Sequence, residues 1–209
     1  MEGVGCSWRR CRELKEHPFL QRLSRALGRH DASLAERDPP VREAAVALAL
    51  WAHEDDASVL LVRRATHDRD PWSAHIALPG GRSEPGDASL LHTAIRETLE
   101  ETGLDLTDAT LLGTLNEIRT RSPHLPPIIV RPYVFAVGDQ GSLVLSDEVN
   151  EAFWAPLEVL FSPASMLRTK VDARGMQISV DAIDFEGRII WGMTERILRS
   201  LQDIIRDHD

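Results

Sequence analysis

From residue 79 the chain reads Pro-Gly-Gly-Arg-Ser-Glu-Pro-Gly-Asp-Ala-Ser, and from residue 90 it continues Leu-Leu-His-Thr-Ala-Ile-Arg-Glu-Thr-Leu-Glu-Glu-Thr-Gly-Leu. A glycine turn here feeds a helix that Asp87 or Ser89 can cap and Gly103 can stop. At 100° per residue, Leu91, Ala94, Ile95, Thr98, Leu99 and Thr102 fall on one stripe, predicted to be buried. Glu97, Glu100 and Glu101 form a second stripe beside it, because positions three and four apart are neighbours on a helix. Arg96 stands four residues before Glu100 and can pair with it. Three carboxylates on one turn repel each other, so the arrangement asks for a cation.

Oxygen donors suit a hard divalent ion such as Mg²⁺ or Mn²⁺. Mg²⁺ takes one or two carboxylates and keeps water or phosphate oxygens for its remaining positions. A diphosphate supplies such oxygens, and a bound ion neutralises the phosphates and lowers the pKa of an attacking water. A glycine turn admits close backbone approach, so a carbonyl near Gly80 or Gly81 can join the ligands.

The rest of the chain places this helix in an α/β context. Residues 43–51 and 58–64 read as buried strands joined by the acidic turn His53 to Asp56. Residues 109–119 and 128–137 read as a further pair, with Pro132 expected to mark an edge or a bulge. The segment from Phe153 to Leu157 reads as a strand turning into a helix. Residues 168–190 read as hairpin strands turning at Glu186-Gly187, and a helix over about 194–206 follows. Phe19, Leu20, Leu23, Ala26 and Leu27 recur at helical spacing and predict an amphipathic helix ending at Gly28. Asp38-Pro39-Pro40 then divides a helical extension, 1–40, from a main domain, 41–209.

Net charge is −9 and unevenly spread. Residues 1–30 hold seven Lys/Arg against three acids, so the remainder, with seventeen against thirty, carries −13. That balance argues against a nucleic-acid polymer as partner. Glu13 and Glu16 interrupt the basic start, which favours a solvated extension over a targeting segment. Cys6 and Cys11, the two cysteines, lack the further ligands that a zinc site needs and are expected to be reduced thiols. No apolar run approaches the roughly 18 residues of a membrane span. No membrane association and a cytoplasmic location are therefore expected.

The segment 81–104 closely resembles the Nudix box, which runs Gly, five residues, Glu, seven residues, then Arg-Glu-U-x-Glu-Glu-x-Gly-U with U a bulky apolar residue. Gly81, Arg96, Glu97, Glu100, Glu101, Gly103 and Leu104 match. Asp87 replaces the first Glu, eight residues separate it from Arg96, and Thr98 stands where an aliphatic is usual. The resemblance implies an α/β/α sandwich with a mixed β-sheet and a hydrolase acting on a small-molecule diphosphate. It assigns Glu97 and Glu101 as metal ligands, Glu100 as a third or bridging ligand, and Gly81 as a backbone ligand. The general base is a carboxylate of the helix, Glu100 or Glu101, or one from the loop Asp147–Glu151, where Glu148 is favoured.

The longer spacing, Leu60-Leu61-Val62-Arg63-Arg64 before the turn, and the tail Ile190-Trp191-Gly192-Met193-Thr194 resemble the coenzyme A pyrophosphatase branch. That branch implies coenzyme A or acyl-CoA as substrate, and many relatives pair as homodimers. Trp72-Ser73-Ala74-His75 departs from the His-Ala-Gly-x stretch usual there, which leaves ADP-ribose, NADH or a nucleotide sugar as alternatives. A non-catalytic sensor of this fold would normally lack one of the metal carboxylates. Arg64, Arg119 and Arg121 have the guanidinium chemistry to contact phosphate. His75 is open to two readings, a substrate contact or a packed structural histidine, and Trp72 to stacking or core packing.

Overall fold

The computed structural model describes residues 17–37, 41–66, 74–120, 127–173 and 176–207. Cys6, Cys11, the Asp38-Pro39-Pro40 break, Trp72 and Arg121 lie outside them.

Strand β1 (Arg42–His53) organises the molecule because both its faces are apolar. Ala44, Leu48 and Leu50 face one core, while Ala45, Ala47 and Ala49 face another. Such two-sided burial is the environment of a parallel strand covered on both faces. Accordingly, β1 pairs in parallel with β7 (Ile128–Val137) and antiparallel with β2 (Asp56–Arg64). Two short strands, β3 (Ile76–Ala77) and β4 (Gly80–Arg82), pair with β2 and β1 respectively. Beyond β7 lie β5 (Thr110–Thr114) and β6 (Ile118–Arg119), and β8 (Val149–Pro156) pairs with the other side of β2. The result is a mixed sheet.

Helices cover both faces. Helix α1 (Pro18–Arg29) buries Phe19, Leu20, Leu23, Ala26 and Leu27 in the larger core. The helical extension thus shares its hydrophobic core with the strands. Its end is one residue past Gly28, where the His30 amide bonds the carbonyls of Ala26 and Leu27. Helix α2 (Leu90–Thr102) lies on the alanine face, where Ala94 packs with Ala45, Ala47 and Ala49. Small residues on both partners let helix and sheet approach closely. After the short helix α3 (Leu157–Leu160), strands β9 (Met166–Ala173), β10 (Met176–Phe185) and β11 (Arg188–Trp191) form a separate antiparallel sheet. Helix α4 (Gly192–Arg206) closes the larger core with Ile197, Leu198, Leu201 and Ile204.

Pro132 does not mark an edge, since β7 is an interior strand with neighbours on both sides, but it faces an irregularity where residues 115–117 lie opposite residues 131–132. Its carbonyl accepts the Leu115 amide, so its missing N–H also points toward β5 and β6. There the chain lies between the two short strands, where no ladder bond is required of residue 132.

Candidate active site

Helix α2 begins and ends as its sequence requires. The Ser89 hydroxyl accepts the His92 amide at 3.2 Å, and Gly103 takes φ 72° while its amide bonds the Leu99 carbonyl. Asp87 does not cap the helix. Its two oxygens accept Arg96 Nε and Nη2, each at 2.9 Å, and it also takes the Glu84 amide and the Thr93 hydroxyl. This fork explains the variant spacing: a shorter acid set one residue further back still closes on Arg96. The Arg96 guanidinium holds the Asp87 carboxyl well below the usual carboxylate range.

The buried stripe is rotated from the expected one. Thr93, Ala94, Thr98, Glu101 and Thr102 are buried, whereas Leu99 is 45% exposed. Thr98 can stand in the core because its hydroxyl bonds the Ala94 carbonyl at 2.7 Å, and Thr102 bonds the Thr98 carbonyl likewise. The rotation carries Glu101 inward, to 3% exposure.

The three helix acids therefore occupy different environments. Glu101 Oε2 accepts the Gly80 amide at 2.9 Å, and Oε1 lies 3.8 Å from Arg64 Nη1. Glu97 sits over Gly81 so closely that a Cβ there would fall 2.4 Å from its carboxyl carbon. Glu100 points outward with 59% of its side chain exposed, its carboxylate held by Arg96 Nη1 at 2.9 Å. Arg96 Nη1 also reaches Glu97 at 3.0 Å. Arg96 is thus the hub that separates the two stripes.

Glu148 arrives from a distant part of the chain. The Val144 and Ser146 amides bond the Thr102 and Glu101 carbonyls, and the Glu148 carbonyl accepts the Ala65 amide at 2.7 Å. These bonds set the acidic loop between the end of α2 and the end of β2. Burial pushes the Glu101 carboxyl up to about 7, against the Gly80 amide and Arg64, and the charges of Glu97 and Glu148 push the same way. Burial likewise raises Glu97, with Arg96 opposing and Glu100 and Glu148 adding to the rise. Burial is thus the main cause at both positions, and the neighbouring carboxylates add to it.

Among the described residues, no three acidic, histidine or cysteine side chains stand ready to enclose an ion. An ion that keeps water and phosphate oxygens needs only one or two carboxylates. The all-oxygen donors and the buried, partly desolvated carboxylates of Glu97 and Glu101 fit such an ion.

The other sequence candidates are dispersed. Arg64 lies beside Glu101. The ring of His75 packs against Trp191, centroids 4.7 Å apart, next to the bond from the Thr194 hydroxyl to the Ile76 carbonyl. Arg119 lies across β7, where Nη1 donates to the Glu36 carbonyl at 3.3 Å. Sequence reasoning missed Asp87 as the partner of Arg96, and Arg37, Glu117 and Arg131, which form an ion cluster on the same face of the sheet. Sequence separation hid this second group, because residues 37 and 117 meet only through folding.

A family model described as the NUDIX domain matches residues 41–174. The chain belongs to the Nudix family. An uncharacterised protein of Schizosaccharomyces pombe is 40% identical over 120 residues, covering 55% of this chain and 36% of that protein. The chain thus spans about a third of that relative's length. A Yersinia pestis protein, described as uncharacterised Nudix hydrolase NudL, is 31% identical over 163 residues, covering 77% of this chain and 78% of that one. Among solved structures, a MutT/nudix family protein from Enterococcus faecalis aligns with TM-score 0.58 at 18% identity, covering 98% of this chain and 76% of its own. That likeness is one of fold: the Nudix α/β/α sandwich with its mixed sheet. Among the described residues, no helix is long and apolar enough to cross a membrane.

Proposed function

We propose that this Nudix protein is a metal-dependent pyrophosphohydrolase that cleaves a diphosphate linkage, with coenzyme A or acyl-CoA as the leading substrate. The observation that carries the reading is the pair of inward carboxylates, Glu97 and Glu101, on one turn of α2 against Gly80-Gly81, with the loop of Glu148 fastened beside the end of that helix. In this reading Glu97 and Glu101 hold Mg²⁺ or Mn²⁺ with the Gly81 carbonyl. When bound, the ion supplies charge neutralisation at the phosphates and a more acidic water.

Glu148 takes the attacking water's proton. Its loop is pinned to both α2 and β2. Glu100, turned outward with 59% of its side chain exposed, serves as an anchor of Arg96. Arg64, beside Glu101, turns toward a phosphate oxygen in this reading once an ion shares the negative charge, and guanidinium geometry suits that acceptor.

The coenzyme A assignment draws support from the strand ending at Arg64, the eight-residue spacing closed by Asp87, and Trp191 packed on His75. Cleavage would give 3′,5′-ADP and 4′-phosphopantetheine. The test is a panel of coenzyme A, ADP-ribose, NADH and a nucleotide sugar, each with Mg²⁺ or Mn²⁺, products resolved by chromatography. Coenzyme A is expected to turn over fastest. Turnover of ADP-ribose or NADH without coenzyme A cleavage would move the assignment to that substrate. Binding of any of them with no cleavage would replace the hydrolase with a sensor.

A further inference from the structure

The catalytic face carries a second polar cluster. Ala45 pairs with Gly81 on one side and with Arg131 on the other. Directly paired residues share a face, so Arg131 rises on the side where Glu97 overlies Gly81. Two strand spacings separate these positions, about 10 Å. Glu117, just before β6, lies beside Arg131, and its side chain is only 1% exposed. Its carboxylate accepts Arg131 Nε at 2.8 Å and Nη2 at 2.5 Å, Arg37 Nη2 at 2.8 Å and the Ala35 amide at 2.8 Å. Arg37 Nε bonds Glu43 at 2.9 Å, and the Glu43 carbonyl accepts the Ser83 amide. The cluster is thereby tied to the loop that leaves the glycine turn.

A guanidinium has five N–H donors. Among the described residues, Arg37 directs three of them to Glu43, Glu117 and the Ala35 carbonyl. Arg131 directs Nε and Nη2 to Glu117. The side chains are 37% and 27% exposed. Two planar forks are held in place by Glu117 and remain partly open. Phosphate is the ligand that matches such forks, and their prior ordering reduces the entropy lost on binding.

We propose that Arg37 and Arg131, held by Glu117, form a platform for a phosphomonoester on the nucleoside half of the substrate, beyond the scissile diphosphate. The substrate assignment rests on the hydrolase reading; the phosphate binding does not. The competing role is a clasp that merely fastens residues 30–37 to the sheet.

The probe is adenosine 3′,5′-bisphosphate, which has two phosphomonoesters and no anhydride, so it reports without turnover. Its affinity for the full chain is measured by calorimetry beside 5′-AMP and inorganic phosphate. The bisphosphate is expected to bind at least about tenfold tighter than 5′-AMP, and Arg37→Ala and Arg131→Lys each to reduce that ratio to about threefold or less. Equal affinity for the two nucleotides overturns the proposal. So does a variant that melts earlier with its ratio intact, which is the behaviour of a clasp, or inorganic phosphate binding as tightly as the bisphosphate. Should coenzyme A resist cleavage while the ratio holds, the platform stands and the coenzyme A assignment fails. Cleavage without the ratio fails the platform alone.

Discussion

Two adjacent glycines at the turn before α2 are constrained by different neighbours, and substitution separates them. A Cβ on Gly81 would meet only the tip of the Glu97 side chain, at 2.4 to 2.5 Å, and a flexible carboxylate can move aside. Gly81→Ala should fold and melt close to wild type while losing most activity, because the displaced group is a proposed metal ligand. Circular dichroism melts beside a turnover assay would check it; full activity would remove Glu97 from the mechanism. A Cβ on Gly80 would instead meet the Ala45 carbonyl oxygen at 2.3 Å and Val46 Cα at 2.6 Å, with φ 147°. Gly80→Ala should therefore destabilise the fold itself. For the acids, Glu148→Gln is expected to lower kcat by about 100-fold or more while the melting temperature stays put. Adding Mg²⁺ or Mn²⁺ should raise the wild-type melting temperature, by about 2.7 kcal/mol of stability at a hundredfold excess over Kd. Glu101→Gln should abolish that rise, and an unchanged metal-dependent shift would exclude Glu101 as a ligand.

At the scale of elements, α2 is placed by its ends and by its small face. Removing the Ser89 hydroxyl leaves the His92 amide without its cap, so Ser89→Ala should cost about 1 kcal/mol in urea unfolding. The predicted stripe was right in kind and wrong in phase. Leu99 is largely exposed and Glu101 is buried because the helix rests on alanines of β1 through Ala94, with Leu90, Leu91 and Ile95 packed partly buried against the same core. Hydrophobic periodicity ranks side chains by polarity, but packing against a shallow alanine surface selects for size. The threonine hydroxyls, each satisfied four residues back within the helix, make that choice affordable. Pro132 illustrates the same limit, since its place in an interior strand depends on a gap between β5 and β6 that lies elsewhere in the chain.

At the scale of the molecule, ion clusters join segments that are far apart in sequence. Glu117 gathers Arg37 and Arg131, while Glu151 joins Arg63 of β2 to Arg188 of β11 and so links the two sheets. Burial pushes Glu117 upward, but Arg37, the Ala35 amide and Arg131 together hold it below the usual carboxylate range. Arg188, with Arg63, does the same for Glu151. Because both carboxyls titrate lower folded than unfolded, their contribution is complete above the ordinary carboxylate range and is lost as pH falls through the lowered folded values. Urea midpoints taken from about pH 6 to about pH 3 should fall less steeply in Glu117→Gln and Glu151→Gln than in wild type. Parallel slopes would show that these pairs do not set acid stability. The sequence by itself determined the strand pattern, the capped helix between two glycines, and the acids and arginine in family order, because turns, caps and helical spacing are local properties. Only the tertiary structure decided which acids turn inward, that Asp87 rather than Glu100 is the main partner of Arg96, and that the loop of Glu148 is fastened to the ends of α2 and β2. Those outcomes depend on burial and on charges brought together across the chain, and no local pattern encodes either.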